Sequence, residues 1–344
     1  MIKESITIKA SEVHSKPIRW LWPKQIAKGK LTILSGDPGL GKSQITAFIA
    51  ATVSQGGKWP IDRSSAEKGS VILLNAEDDA GDTITPRLQA LNADLENIHL
   101  MLGISVDSDP RGFRLDKDLE ELRSAIDEMQ NPQLVIIDPI SAYLGGVDSY
   151  KDSEIRSLLT PLTQLAEEYD ISVIAVSHLN KNSDKKAIHR ISGSIGFVAS
   201  ARTAFSVVQD PENAENRLML PVKNNISKDK EGFSFTIRSV TLDSGIETSK
   251  VSFGDQYVQK SVDEVLTGGF KNQGQTLTDE AEDFLLEIME NGECSVSDLN
   301  EKAELMGIPK KPLRSAQKKL GIKSVKSGFG EGGGWKWVLP EERI

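Results

Sequence analysis

The sequence predicts an α/β protein with a doubly wound core, in which antiparallel strands extend a mostly parallel sheet, followed by a small second domain. Three observations support this prediction. Short apolar runs alternate with helical stretches from residue 29 to about residue 208. Strand follows strand from residue 204 to about residue 253, and a stretch rich in glycine, asparagine and glutamine precedes the last part of the chain. A length of 344 residues suits two domains at roughly 150 residues each.

Four segments of the first part have the pattern of strands that are buried on both faces of a parallel sheet, because they are largely apolar and end in polar residues. They span residues 31–35, 71–75, 134–138 and 171–177. Helices are predicted between them, at residues 43–54, 119–130 and 153–169. This alternation is typical of a doubly wound sheet. Three further strands, at residues 204–208, 217–222 and 233–238, are predicted to extend the sheet in antiparallel fashion.

A change of composition near the carboxyl end predicts the domain boundaries. Residues 1–260 would form the α/β core, residues 261–277 a flexible linker and residues 278–344 a small domain. In the small domain, helices are predicted at residues 280–290, 295–306 and 312–320, before two strands at residues 323–326 and 335–339. This pattern is typical of a winged-helix domain. Trp335 and Trp337 alternate along the last strand and are predicted to pack its core.

Composition excludes several classes of protein. There are 41 Lys and Arg residues against 50 Asp and Glu, a net charge of −9, so any contact with nucleic acid must come from a local basic patch. The lone cysteine, Cys294, excludes an intramolecular disulfide and a multi-cysteine zinc site. The longest apolar runs are far shorter than the ~20 residues that span a bilayer. We therefore expect a cytoplasmic protein without a membrane partner.

Residues 36–43 match the phosphate-loop pattern G-x-x-x-x-G-K-[ST], between a predicted buried strand and a predicted helix. Glycines let backbone N–H groups turn towards phosphate oxygens, and the amino terminus of the helix adds positive potential. We expect Lys42 to contact the β- and γ-phosphates of ATP and Ser43 to bind Mg²⁺. The predicted nucleotide-binding segment consists of Gly36, Asp37, Pro38, Gly39, Leu40, Gly41, Lys42, Ser43 and Gln44.

Acidic residues end two of the predicted strands. Asp138 ends an apolar strand, as a magnesium-orienting carboxylate does, although an ordinary strand-ending Asp has the same pattern. Glu77, Asp78 and Asp79 follow another strand, and a carboxylate at this edge can polarise the water that attacks the γ-phosphate. Glu77 is the predicted general base, with Asp78 as the second candidate; a solvated acidic turn is the alternative.

His178 ends a third strand and is the predicted sensor of the γ-phosphate, unless it is an ordinary strand-end histidine. The loop that follows is basic, and a basic loop directly after a sensor suits the coupling of hydrolysis to a polyanion. A solvated loop remains the alternative. Its candidate DNA contacts are Lys181, Lys185, Lys186 and Arg190.

Cations also gather in the small domain, where residues 305–330 hold seven Lys and Arg residues and no acid. Lys311, Arg314 and Lys318 are spaced to share one side of the third predicted helix. This side could meet DNA phosphates or bases. Many winged helices bind protein instead.

Taken in order, the motifs resemble those of RecA-like hexameric ATPases, and most of all the RepA-type replicative helicases of plasmids and their prophage relatives. The resemblance covers about residues 18–222. It rests on Trp20-Leu21-Trp22-Pro23, the phosphate loop, Asn75-Ala76-Glu77-Asp78-Asp79, Pro86-Arg87-Leu88, Ile137-Asp138-Pro139, Ser177-His178-Leu179-Asn180-Lys181, and Gly193-Ser194 ahead of Ala201-Arg202.

The resemblance implies roles for individual residues. Lys42 and Ser43 would hold phosphate and magnesium, Glu77 would be the general base, and Asp138 the Walker B acid. In this family a neighbouring subunit completes the active site with arginine fingers. Arg202 is the best match and Arg87 the second, with an ordinary helix-surface arginine as the alternative for each.

Further features carry over less completely. Lys223-Asn224-Asn225 resembles the Lys-x-Arg finger of related ring helicases, but Asn225 replaces the arginine, so Lys223 alone is a finger candidate. The loop at residues 181–190 corresponds to the channel loop that tracks single-stranded DNA. The winged-helix module lies outside the compact RepA pattern, although it is common in prophage relatives.

These observations favour an ATP-driven motor that moves on single-stranded DNA as a homo-oligomeric ring, with six subunits expected, and serves replication of a mobile element. A replication initiator or a primase is then the expected partner. A DNA-bound ATPase that never translocates, such as a recombination mediator or helicase loader, shares every motif and is the alternative. A phosphate-loop kinase is disfavoured, because no lid or acceptor-binding segment is evident.

Overall fold

The computed structural model describes residues 7–149, 151–178, 195–228, 231–266, 277–289, 293–296, 299–300, 303, 308–327 and 334–340. The chain divides into two compact units, residues 1–268 and residues 269–344. Each unit has an apolar core of its own. We describe each unit by itself.

The first unit contains strands β1 to β13 and helices α1 to α6 among the described residues. The strands are β1 (Trp20–Trp22), β2 (Ile26–Ala27), β3 (Leu31–Gly36), β4 (Ser70–Asn75), β5 (Ile98–Leu100), β6 (Ile104–Val106), β7 (Asp109–Arg111), β8 (Pro132–Asp138), β9 (Ser172–His178), β10 (Thr203–Gln209), β11 (Arg217–Asn224), β12 (Gly232–Thr241) and β13 (Glu247–Val258). The helices are α1 (Lys42–Gln55), α2 (Thr85–Ala90), α3 (Leu119–Asp127), α4 (Asp152–Tyr169), α5 (Ile195–Ser200) and α6 (Val262–Leu266).

The main sheet has the order β13-β12-β11-β10-β3-β9-β8-β4-β5 in the described part of the chain. The strands from β10 to β5 are parallel, and β11, β12 and β13 continue the sheet in antiparallel fashion. Strands β3, β8 and β9 are buried almost throughout, as their apolar sequences require. The predicted RecA-like α/β fold is confirmed.

One strand runs in the opposite direction to the prediction. Residues 203–209 were expected to be antiparallel, but β10 is parallel to β3. The reason is the helix α5 that precedes it, because a helical crossover returns the chain to the edge where the parallel strands begin. Arg202 N accordingly donates to the carbonyl oxygen of Leu31, at the start of β3.

Apolar layers cover both faces of the sheet. On one face, α3, α4 and α5 pack on side chains from β3, β8 and β9. On the other face, α1 and α2 pack together with Trp22 from the Trp-Leu-Trp segment. Trp22 stacks on Trp59 with ring centroids 4.8 Å apart and planes 5° apart. Helices on both faces complete the doubly wound arrangement.

The first residues of the expected linker belong to the first unit. Residues 262–266 form α6, whose Val262 and Val265 are buried against Val208, Leu218 and Leu220. The apolar spacing of Val262 and Val265 explains this packing, since residues three apart share a helix face. Residues 267–276, the remainder of the expected linker, lie outside the described residues.

The second unit contains helices α7 (Leu277–Ile288) and α8 (Lys310–Lys319) and strands β14 (Glu293–Ser295), β15 (Lys323–Ser327) and β16 (Gly334–Val338) in the part that is described. The strands form a sheet in the order β14-β16-β15. Most of the second predicted helix and the hairpin tip lie outside the described residues. Trp337 is buried at 6% exposure, as expected, but Trp335 is 56% exposed because it lies beyond the packed residues of the core.

Within the described ranges, no helix is both long enough and apolar enough to cross a membrane.

Candidate active site

The phosphate loop connects β3 to α1 and depends on two glycines with positive φ. Gly39 has φ +77° and Gly41 has φ +88°, a conformation that residues with a Cβ rarely adopt. A Cβ at Gly41 would also lie 2.5 Å from Cδ1 of Ile237 in β12. The loop therefore needs glycine at position 41 for both its backbone conformation and its packing.

Lys42 lies across this loop and is almost fully buried. Its Nζ donates to the carbonyl oxygens of Gly36, at 2.8 Å, and Asp37, at 2.9 Å. Burial lowers the pKa of Lys42, while the charges of Asp138, Glu77 and Asp37 oppose that shift. Phosphate oxygens are charged acceptors and bind an ammonium group more strongly than carbonyls do. Lys42 is thus placed to bind the phosphates of a nucleotide.

Asp138 ends β8 and is 4% exposed. Burial raises its pKa to about 6; the hydroxyl of Ser43 donates to it and lowers the pKa, and the charge of Glu77 raises it. Thr46 Oγ1 lies 3.4 Å from Asp138 Oδ2. A buried carboxylate with excess negative charge beside a serine hydroxyl fits a divalent cation.

The donors also suit a cation that shares its ligands with the nucleotide. Within the described residues, no group of three or more His, Cys, Asp or Glu side chains could hold a metal ion without further ligands. Mg²⁺ typically uses one or two carboxylates and completes its shell with water and substrate phosphates. Ser43 and Asp138 would hold the ion here, and the ion would neutralise charge on the phosphates.

The acidic turn after β4 separates the two candidates for the general base. Asn75 Oδ1 accepts the backbone N–H groups of Glu77, at 2.9 Å, and Asp78, at 2.7 Å, and so shapes the turn. The Asp78 side chain is 26% exposed and its Oδ2 lies 2.6 Å from NH1 of Arg87. The Glu77 side chain is 57% exposed, which leaves it accessible to water. This arrangement favours Glu77, although its role as base stays a prediction.

His178 ends β9, next to both the phosphate loop and the acidic turn. It pairs in register with Gly36, and its Nε2 lies 3.4 Å from Oε1 of Glu77. Its buried Nδ1 has no hydrogen-bond partner among the described residues. A side chain in this place can respond to both Glu77 and a phosphate. The basic loop that follows, with Lys181, Lys185, Lys186 and Arg190, lies outside the described residues.

Arg202 and Lys223 lie at the opposite edge of the sheet. Arg202 precedes β10 and bonds through its backbone to Leu31, whereas the phosphate loop follows Gly36 at the other end of β3. At 3.3 Å per residue, the length of β3 separates the two edges by about 16 Å. Lys223 Nζ donates to the carbonyl oxygens of Val198 and Ala199 at the end of α5. Neither residue joins the phosphate site of its own chain.

Gln44 and Arg87 have contacts that sequence reasoning missed. Gln44 was expected to bind nucleotide, but its side chain is 5% exposed and lies 2.7 Å from Ser249 Oγ in β13. Arg87 was expected as a finger for a neighbour, but it lies beside Asp78 and Ser43 of its own chain. Local sequence holds no signal for the first contact, because 205 residues separate the partners.

The chain also matches a known family over this region. Residues 3–184, which are more than half of the chain, match the AAA_25 family, described as an AAA domain. The chain belongs to the AAA_25 family. Together with the phosphate loop and the sheet, this membership identifies a RecA-like P-loop ATPase domain, which uses ATP and typically Mg²⁺.

Several curated relatives of this AAA_25 protein carry the name DNA repair protein RadA. The protein from Bacillus subtilis is 23% identical over 233 residues, covering 66% of this chain and 43% of the relative. The protein from Mycobacterium tuberculosis is 25% identical over 242 residues, covering 67% and 42%. This chain thus spans less than half the length of these relatives. The solved structure of another protein's ATPase domain aligns with a TM-score of 0.46 and 13% identity over 68% of this chain and 86% of that one.

Replacement of Glu77 by Gln should lower MgATP turnover at least about 100-fold and leave nucleotide binding intact, because the attacking water loses its base. Asp78→Asn, the matched control, should lower turnover less than about tenfold, since the new amide oxygen can still accept a bond from Arg87. Steady-state turnover and binding of a fluorescent ATP analogue measure the two effects. The reverse order of the two variants would assign the base to Asp78.

Asp138→Asn should stabilise the Mg²⁺-free protein at pH 8. Because the folded pKa of Asp138 is raised to about 6, the ionised side chain costs up to about 3 kcal/mol above that pH. The cost diminishes as the pH falls from 6 to 4 and Asp138 binds a proton. The Tm difference between variant and wild type should be several degrees at pH 8 and shrink towards pH 4.5. A variant that is less stable than wild type at pH 8 would contradict this reading of the site.

Proposed function

We propose that this chain is an ATP-hydrolysing motor that assembles as a homo-oligomeric ring, with six subunits, and acts on single-stranded DNA as a replicative helicase of a plasmid or prophage-like element. The observation that carries the proposal is the separation of two sets of charged residues. Lys42, Asp138 and His178 lie at one edge of the sheet, and Arg202 lies at the other. A second copy would have to bring that edge to the nucleotide.

The second edge has the charge that a neighbouring nucleotide would need. Burial lowers the pKa of Lys223, and the nearby charges of Arg202 and Arg156 lower it further. In the described ranges, none of these three side chains has an acidic partner. Arg202 and Arg156 are exposed. A phosphate of the adjacent subunit's nucleotide would offset this concentration of positive charge.

In the proposed reaction, Lys42 and the loop backbone hold the phosphates, while Ser43 and Asp138 hold the magnesium ion. Glu77 takes the proton of the attacking water. His178 lies 3.4 Å from Glu77 and leads directly into the basic loop, so it can report phosphate release to that loop. Arg202 of the neighbouring subunit stabilises the charge that develops on the transferred phosphoryl group.

Two features support DNA as the polymer. The curated relatives are named DNA repair proteins. In α8, Lys311, Arg314 and Lys318 are exposed along one side of the helix, and no described acid pairs with them. The helices and the three-stranded sheet of the second unit are consistent with a winged helix that tethers DNA near the ATPase domain.

The same relatives give the alternative its weight. A non-translocating DNA-bound ATPase, such as a recombination mediator or loader, would use the same site and the same DNA contacts. The two functions differ in one respect only, because a motor separates the strands of a duplex and a switch does not.

Strand displacement from a forked duplex distinguishes the two. We expect the wild-type protein to release the displaced strand with MgATP and the Lys42→Ala variant to release none. Hydrolysis that single-stranded DNA stimulates, without strand release on forks of either polarity, would favour the switch. The absence of stimulation by single-stranded DNA would contradict both functions.

Arg202→Ala should keep ATP affinity within about twofold and lower hydrolysis about 1000-fold, because a finger acts on the transition state. Mixing this variant with Lys42→Ala should restore part of the activity, since hybrid interfaces pair an intact loop with an intact finger. Subunit exchange is verified with labelled protein. Activity that stays at the level of the separate variants would mean that Arg202 is not a finger in trans.

A further inference from the structure

Arg87 and Asp78 form a half-buried ion pair inside the catalytic edge. Arg87 lies in α2, and its NH1 is 2.6 Å from Asp78 Oδ2; the two side chains are 23% and 26% exposed. Both residues line the same small cleft as Ser43 and Thr46. Asp78 is close enough to Asp138 to add to the repulsion on that carboxylate. The ion pair therefore restrains a negative charge that would otherwise be free beside the metal site.

Gln44 connects this ion pair to a distant strand. In the amide orientation that satisfies both partners, its Oε1 accepts bonds from Arg87 Nε, at 3.0 Å, and from Ser249 Oγ, at 2.7 Å. Its Nε2 donates to the carbonyl oxygen of Ser249 at 3.2 Å. Gln44 directly follows Ser43 at the start of α1. A continuous set of hydrogen bonds thus runs from Asp78 through Arg87 and Gln44 to Ser249.

Ser249 belongs to a hairpin that packs on the phosphate loop instead of on the sheet. Strand β12 pairs with β11 only from Phe233 to Phe235, and the part beyond pairs only with β13. Ile237, in this outer part, makes the contact that excludes a Cβ at Gly41. Residues 236–251, which we call the outer hairpin, therefore contact α1 at both Gly41 and Gln44.

We propose that Arg87 is a positioning residue that acts within its own subunit: it holds Asp78 away from the reacting groups and, through Gln44, couples the acidic turn to the outer hairpin. The proposal rests on the proposed ATP hydrolysis for its kinetic effect. With NH1 and Nε both engaged inside one chain, Arg87 is poorly placed to serve a neighbour's nucleotide. Removal of one member of such a pair leaves an uncompensated charge. Asp78 would then compete with Glu77 for water or perturb Asp138.

The kinetic test compares Arg87→Ala with the double variant Arg87→Ala/Asp78→Asn. Arg87→Ala should lower kcat for MgATP at least about 30-fold with KM changed less than about threefold. The double variant should recover at least about fivefold, because the charge that Arg87 restrains is gone. Mixing Arg87→Ala with Lys42→Ala should restore nothing. Rescue on mixing would make Arg87 a finger in trans, and failure of the double variant to recover would make its role merely structural; either result overturns the proposal.

The coupling is tested by hydrogen–deuterium exchange, which does not require hydrolysis. On addition of Mg²⁺ and ATPγS, wild-type protein should show slower exchange in the phosphate loop and in the outer hairpin. Ser249→Ala should keep the response of the loop and lose that of the hairpin. Ser252→Ala, on the opposite face of β13, is the control and should behave as wild type.

An outer hairpin that responds equally in wild type and Ser249→Ala would overturn the coupling. The two proposals fail in different ways. Wild-type protein that binds ATPγS but does not hydrolyse ATP would contradict the proposed function, and the exchange data would still decide the coupling.

Discussion

Asp138 holds a negative charge in a buried position at the edge where the parallel strands end, and the neighbouring groups are arranged around that charge. Burial raises its pKa, Ser43 donates to it, and Lys42 opposes the rise. Glu77 and Asp78 add negative charge to the same edge, and Arg87 neutralises only the second of them. The edge therefore favours a cation, and a nucleotide that brings one would relieve its electrostatic cost.

The direction of the strands decides which residues can act together in one chain. Strands β3, β4, β8 and β9 all end at this edge, so Gly36 pairs in register with His178, and Asn75 with Asp138. Strand β10 is parallel to them, so the residue that precedes it, Arg202, lies at the opposite edge. The parallel sheet thus assembles most of a catalytic site and excludes an exposed arginine from it. A second copy of the chain can supply what strand direction removes.

The alternation of apolar runs and helices predicted the parallel core, because each buried strand and helix has a local pattern. The closeness of Glu77 and His178 also followed from strand ends alone, and the structure places them 3.4 Å apart. The direction of β10 and the existence of β13 did not follow, since pairing partners depend on crossovers and on distant residues. Gln44 shows the limit most clearly: its position beside the phosphate loop suggested a nucleotide contact, but a serine 205 residues away determines where its side chain lies.

The contrast between Trp335 and the other buried indoles has an optical consequence. Trp22, Trp59 and Trp337 are enclosed by apolar side chains, whereas more than half of Trp335 faces solvent. An indole in water emits at longer wavelength than an enclosed one and is reached by small quenchers. The second unit therefore has a natural fluorophore at its surface, beside the strand that faces Lys326. Its emission reports on that unit without any label, while the stacked pair of Trp22 and Trp59 reports on the core of the first.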